Sequence, residues 1–157
     1  MLPQDKPDNP GVHVPPPFVY VMAIGLGVLL QRAVPLRIGG GIVRVIAAWA
    51  LVAAFGALVG SSFQSFWSRH TSVVPIRPAT TLVVSGPYRW TRNPMYVGMA
   101  LLTLGAALWL NTWWIVLLLA PVLVAIDRLV IAREENYLRR RFGSDYEAYM
   151  RRVRRWL

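Results

Sequence analysis

Three groups of residues in this chain have the types and spacing to do chemistry. The first is the run Gly86-Pro87-Tyr88-Arg89-Trp90-Thr91-Arg92-Asn93-Pro94-Met95-Tyr96-Val97-Gly98. Arg92 offers a planar guanidinium fork that suits a carboxylate or a phosphate. Tyr88, Trp90 and Tyr96 offer aromatic faces to a cation, worth about 0.5–2 kcal/mol each. Pro87 and Pro94 fix their own φ and restrict the residues before them, which holds the run in defined turns. The pattern fits a polar pocket for an anionic or zwitterionic ligand. The competing reading is that these aromatics and arginines only anchor the chain at a membrane boundary.

The second group is Glu134-Glu135. Neighbouring side chains on a helix diverge by about 100°, so at most one of the two is expected to face a pocket squarely. Capture of a cationic group or a ribose diol is one use for them, and pairing with nearby arginines on a solvated face is the other. The third group is Asp127-Arg128, set inside an apolar run, where charge usually faces a bundle interior or a cavity. It either lines a pocket or pairs structurally, internally or with a polar residue such as Gln64. The chain has no cysteine, which excludes thiol nucleophiles, disulfides and cysteine metal sites. His13 and His70 belong to no H-x-x-H pair, so no metal site is expected.

Composition tells what must position these groups. The chain has 157 residues, 55% of them hydrophobic, with mean hydropathy +0.44 and a formal net charge of +10. A basic soluble domain would suggest nucleic acid. Apolar runs this long suggest instead a membrane protein with basic edges, and no nucleic-acid partner.

Residues 1–17 hold half of the twelve prolines and are expected to form an extended tail ahead of a single domain over 18–157. The tail lacks the charged start and small-residue cleavage site of a signal peptide, so the first apolar run is expected to stay in the protein. Apolar runs fall at about 18–34, 45–66, 95–110 and 113–131. A spanning helix needs about 20 residues. The fold expected is therefore an all-α polytopic membrane helix bundle with about four transmembrane helices. Only Asn111-Thr112 parts the last two runs, which predicts a tight helical hairpin. Pro121 should kink the fourth helix. Gly56 and Gly60 are spaced for close helix packing.

Charge suggests the orientation. Arg69, Arg77, Arg89 and Arg92 lie between the second and third runs, and eight arginines lie between Arg133 and Arg155. The tip from Asn111 to Trp114 carries no charge and two tryptophans. Positive-inside logic puts both basic segments and both termini in the cytoplasm, with Arg32, Arg37 and Arg44 outvoted. After the fourth run the helix should continue through Glu134-Glu135 to Phe142 and stop at Gly143. Ser144 and Glu147 have capping-box spacing. Tyr146, Tyr149, Met150, Val153 and Trp156 recur at helical spacing among arginines, which predicts an amphipathic interfacial helix over about 144–157 on an anionic inner leaflet.

Taken in order, Leu82-Val83-Val84-Ser85-Gly86-Pro87-Tyr88, Arg92-Asn93-Pro94-Met95-Tyr96-Val97-Gly98, Glu134-Glu135 and Phe142-Gly143-Ser144-Asp145-Tyr146-Glu147-Ala148-Tyr149 resemble the isoprenylcysteine carboxyl methyltransferase and phospholipid methyltransferase family. The resemblance is strong over about 70–155 and weaker over the second run. It implies an integral membrane enzyme using S-adenosylmethionine. In its terms Tyr88, Arg92, Asn93, Pro94 and Tyr96 line the cofactor site, and the backbone of Thr81, Leu82 and Val83 lies beside the adenosyl group. Glu134 and Glu135 hold the cofactor's polar groups, and Arg128 or Arg133 stands near the substrate without aligning cleanly. Arg92, Asn93 and Glu135 are the expected catalytic residues. The carboxyl methyltransferases typically have His where this chain has Asn93, and some phospholipid N-methyltransferases read Asn-Pro-Met-Tyr, which leaves the acceptor open.

The function expected is methyl transfer from S-adenosylmethionine to a lipid or lipidated acceptor at the cytoplasmic face, in an integral protein of the bacterial inner membrane. Two other readings stand beside it. One is an NADPH-dependent membrane reductase of similar architecture. The other is a non-enzymatic membrane scaffold.

Overall fold

The computed structural model describes residues 15–68 and 81–157. Most of the proline-rich tail, both histidines, Arg69 and Arg77 lie outside the described residues. Helix α1 spans Pro16–Ala33, α2 Gly41–Trp67, α3 Pro94–Trp109 and α4 Trp113–Ala125. A π-helical turn over Ile126–Ile131 joins α4 to α5, Ala132–Phe142, and α6 follows at Ser144–Arg152. Among the described residues no strand forms, and the chain is an all-α membrane helix bundle.

Three helical stretches are long and apolar enough to cross a membrane: Pro16–Ala33, Gly41–Trp67 and the continuous Trp113–Phe142. Helix α3 is shorter, and its 16 residues rise about 24 Å against a hydrocarbon core of about 30 Å. It is also the central element, flanked by α2 on one side and by α1 and α4 on the other.

The helix limits follow local sequence. Prolines open α1 and α3, where a missing N–H costs nothing. Thr112 caps α4 by accepting from the Trp114 N–H at 3.2 Å. Gly143, at φ 51°, ends α5 where an L side chain would be strained. Pro121 sits inside α4, followed within the same helix by the π turn.

In lipid, helices associate through packing and hydrogen bonds because the surrounding chains are equally apolar. A Cβ on Gly98 would lie 2.8 Å from Val59 Cγ2, and one on Gly105 would lie 3.2 Å from the Ala48 carbonyl oxygen. These two glycines let α3 close on α2. The expected pair, Gly56 and Gly60, does not serve this contact. Both are exposed, with nothing within 4 Å of either Cβ position, because they face away from α3.

The hairpin tip between α3 and α4 forms as expected, with Asn111 at φ 57°. Its Oδ1 accepts from the N–H groups of Ile38 at 3.1 Å and Gly39 at 2.9 Å. Trp114 Nε1 donates to the Val34 carbonyl at 2.8 Å. Arg44 reaches the carbonyls of Leu108 and Trp109 from the start of α2. One end of the bundle is thus stitched by backbone carbonyls and N–H groups held by Asn111, Trp114 and the Arg44 guanidinium. The motif residues and the α5 glutamates gather at the other.

Candidate functional site

The Gly86–Arg89 segment forms a 3-10 turn against the end of α2. Gly86 sits at φ 60°, and a Cβ there would strike Ser65 Oγ, so the turn requires glycine. The turn buries Pro87 and Tyr88. The Tyr88 ring meets Phe66 edge to face at 5.5 Å, and its carbonyl accepts from the Tyr149 hydroxyl at 2.7 Å. Burial pushes the Tyr88 hydroxyl above the usual tyrosine range. Thr81, Leu82 and Val83 lead into this turn as non-helical chain, with Val83 buried.

The next residues are tied to the C-terminus. Thr91 forms a parallel bridge with Arg154, and the Arg92 N–H donates to the Arg154 carbonyl at 3.0 Å. The Arg155 carbonyl accepts from Thr91 Oγ1 at 3.2 Å and from Asn93 Nδ2 at 2.8 Å. Asn93 precedes Pro94 in the N-cap position but makes no side-chain cap, since its amide is committed to this tail.

This arrangement revises the expected interfacial helix over 144–157. Helix α6 ends at Arg152, and Val153 is extended at φ −124° and ψ 132°. Tyr146 and Tyr149 are buried, so the aromatic face of α6 packs on protein, and Trp156 packs on the core of α1, α3 and α4. Gly143 rather than Ser144 takes the N-cap position of α6 and has no side chain to cap with, so the expected capping box does not form.

An ionic cluster lies beneath. Arg92 Nη2 is 3.1 Å from Glu135 Oε1, with the two side chains only 10% and 5% exposed. Arg155 donates through Nε to Glu135 Oε1 at 3.1 Å and through Nη2 to Oε2 at 2.5 Å. Its Nη1 reaches both Asp127 oxygens, at 3.2 and 3.1 Å, and Trp156 Nε1 donates to Asp127 Oδ1 at 3.0 Å. The Glu135 hydrogen bond, and then Asp127, hold the Arg155 guanidinium above its ordinary pKa against the opposing effect of burial. Glu134 Oε1 accepts from the Tyr96 hydroxyl at 2.8 Å.

Both glutamates therefore find inward partners. The expectation that at most one could face the site assumed a single flat wall. Here α5 meets α3 on one side and the 91–93 segment with the tail on the other. Asp127 and Glu135 are eight positions apart, and an unbroken α-helix would offset them by about 80°. The wider π turn winds more residues into each turn and shrinks that offset, which brings both within reach of one guanidinium.

The structure brings together Arg92, Asn93, Tyr96, Glu134 and Glu135 of the expected site. It adds Thr91, Asp127, Arg155 and Trp156. The expected partners of Asp127, Arg128 and Gln64, are replaced by Arg155 and Trp156. Arg128 and Arg133, expected near a substrate, are exposed on the same helical rod. Among the described residues, Nε and Nη1 of Arg92 are buried and meet no acceptor. An unmet buried donor costs about 1–3 kcal/mol, more when charged, so these two nitrogens can accommodate a further acceptor.

The chain matches the phospholipid methyltransferase family model over residues 43–145 and belongs to that family. An uncharacterized protein of Haemophilus influenzae is 40% identical over 63 residues, covering 40% of this chain and 100% of its own length. The protein-S-isoprenylcysteine O-methyltransferase of Schizosaccharomyces pombe is 38% identical over 72 residues, which is 46% of this chain and 30% of that enzyme. The match thus spans under a third of the yeast enzyme's length. No solved structure matches. Family membership and the long apolar helices together support a membrane methyltransferase, ahead of the reductase and scaffold readings.

Proposed function

We propose that the cluster is the methyl-donor site of an S-adenosylmethionine-dependent enzyme acting on a lipophilic acceptor. The observation that carries this reading is Arg92, nine-tenths buried, with two guanidinium donors left over after its bond to Glu135. The donor molecule has an amino-acid end, a carboxylate beside an ammonium. The residues present fit it. Arg92 has Nε and Nη1 left to donate charge-assisted bonds to the carboxylate. Glu134, which accepts from the Tyr96 hydroxyl through Oε1, has its second oxygen to offer the ammonium.

Roles then divide. Glu135 already has two arginines, so it is a fixed counter-charge that aims Arg92 rather than a ligand for the donor. Glu134 is then the ligand-facing acid. Asn93 secures the tail through the Arg155 carbonyl, so its side chain is a positioning group and says little about the acceptor. Tyr88 and the chain from Thr81 to Val83 flank the adenosyl side, as the family resemblance implies.

When bound, S-adenosylmethionine supplies an electrophilic methyl group on a sulfonium. The protein's part is orientation and dryness. Positioning alone can supply about 7–11 kcal/mol in well-aligned cases. Water exclusion would keep an amine acceptor neutral, while a carboxylate acceptor would need no base. The acceptor would enter from the bilayer beside α5, where Arg128 and Arg133 stand exposed to meet a polar headgroup. The exposed Arg139, Arg140, Arg151 and Arg152 would hold this end against an anionic, cytoplasmic leaflet.

The test is label transfer. Membranes carrying the protein are incubated with methyl-labelled S-adenosylmethionine and separated into lipid and protein fractions. Label should enter the lipid-extractable fraction with wild type and fall at least about ten-fold with Glu134→Gln, the scale of a lost charge-assisted bond. Equal label with and without the protein overturns the reading.

A further inference from the structure

The C-terminal tail is not needed to explain the motif residues, yet it makes the most polar contacts in the cluster. Its residue Arg155 spans Asp127 and Glu135 with all three guanidinium nitrogens, and its carbonyl is gripped by Thr91 and Asn93. It sits beyond the 43–145 stretch that defines the family match.

Glu135 has two oxygens. Arg155 takes Oε2 and shares Oε1, leaving Arg92 one contact through Nη2. Without Arg155, Glu135 would be free to accept a two-armed Arg92 fork, a frequent arrangement for this pair of groups. One of the two spare Arg92 nitrogens would then join Nη2 on Glu135 and be lost to a ligand. The local balance would also shift by one negative charge, since Asp127 would keep only the neutral Trp156 indole. Both changes disfavour an incoming carboxylate.

We propose that Arg155 is a positioning residue that keeps Arg92 open: by saturating Glu135 and Asp127 from the tail, it reserves the Arg92 donors for an anionic group of the ligand. This rests on the donor-site reading above and names the part of the ligand that the tail controls.

The experiment compares two ligands on the full-length protein in detergent by calorimetry. S-adenosylhomocysteine carries the amino-acid end, and 5′-methylthioadenosine lacks it. For Arg155→Gln, affinity for S-adenosylhomocysteine should fall at least about ten-fold, and affinity for methylthioadenosine should stay within about two-fold. Arg155→Lys places one point charge where two carboxylates need a fork, so it should restore part of the loss. If Arg155→Gln leaves both affinities unchanged, or lowers both equally as a general loss of folding would, the proposal is wrong. If wild type binds neither ligand, the donor-site reading fails first and takes this proposal with it.

Discussion

Arg92 meets Glu135 through a single nitrogen, at 3.1 Å, and leaves Nε and Nη1 buried without an acceptor. A buried arginine and carboxylate usually engage as two parallel bonds. The incomplete pairing is possible because Arg155 competes for the same carboxylate from the other side.

The two glutamates should respond differently to substitution. Glu135→Gln leaves two arginines facing a neutral amide, and breaking a buried pair costs about 3–5 kcal/mol. A large drop in thermal midpoint is expected, together with loss of binding. Glu134→Gln removes an acid bonded to one phenol and should weaken S-adenosylhomocysteine about ten-fold with a smaller stability change. Thermal shift in detergent alongside calorimetry separates them. Matching profiles would refute the division of roles.

The turn before the site should tolerate no side chain at Gly86. Gly86→Ala introduces a Cβ at φ 60° directly against Ser65 Oγ. Strained backbone of this kind costs about 1–3 kcal/mol. Gly56→Ala, with nothing within 4 Å, should change stability little or raise it slightly. If the two alanines have equal thermal midpoints, the packing described here is incorrect.

Much of this was legible in the sequence. The apolar runs predicted α1 to α4 within a few residues at most ends, since length and hydropathy alone decide what suits a bilayer. Gly143 marked the end of α5 through its backbone freedom. The tail was misread for a physical reason: Tyr146, Tyr149, Val153 and Trp156 do recur at helical spacing. Spacing does not show that the backbone turns extended at Val153 and sends Trp156 inward. Arg155 was one of eight arginines in its segment, and nothing local marks which of them finds a buried acid. The π turn is equally silent in sequence, yet it decides whether Asp127 joins the site.

Alkaline conditions should loosen the attachment of α6. Burial pushes the Tyr146 hydroxyl up to about 12, reinforced by the Glu135 carboxylate, and burial also raises Tyr149 beyond the usual range. A tyrosine in the unfolded chain titrates near about 10. Below that value both states keep the proton and this contribution is constant. Above it the unfolded chain releases protons that the folded one retains, so stability falls as pH rises from about 10 toward 12. Tyr149→Phe removes the bond to the Tyr88 carbonyl, costing about 1 kcal/mol at neutral pH. It should also flatten the alkaline decline, read as thermal midpoint against pH. An unchanged slope would exclude Tyr149 as a contributor.

The most direct test of the donor site is calorimetric titration of S-adenosylhomocysteine into detergent-purified wild type and Arg92→Lys. Lysine keeps the positive charge and can still pair with Glu135, but it has no second arm for a carboxylate. The account predicts measurable binding by wild type and at least about ten-fold weaker binding by Arg92→Lys. Equal affinities in the two proteins, or no binding by wild type, would contradict it.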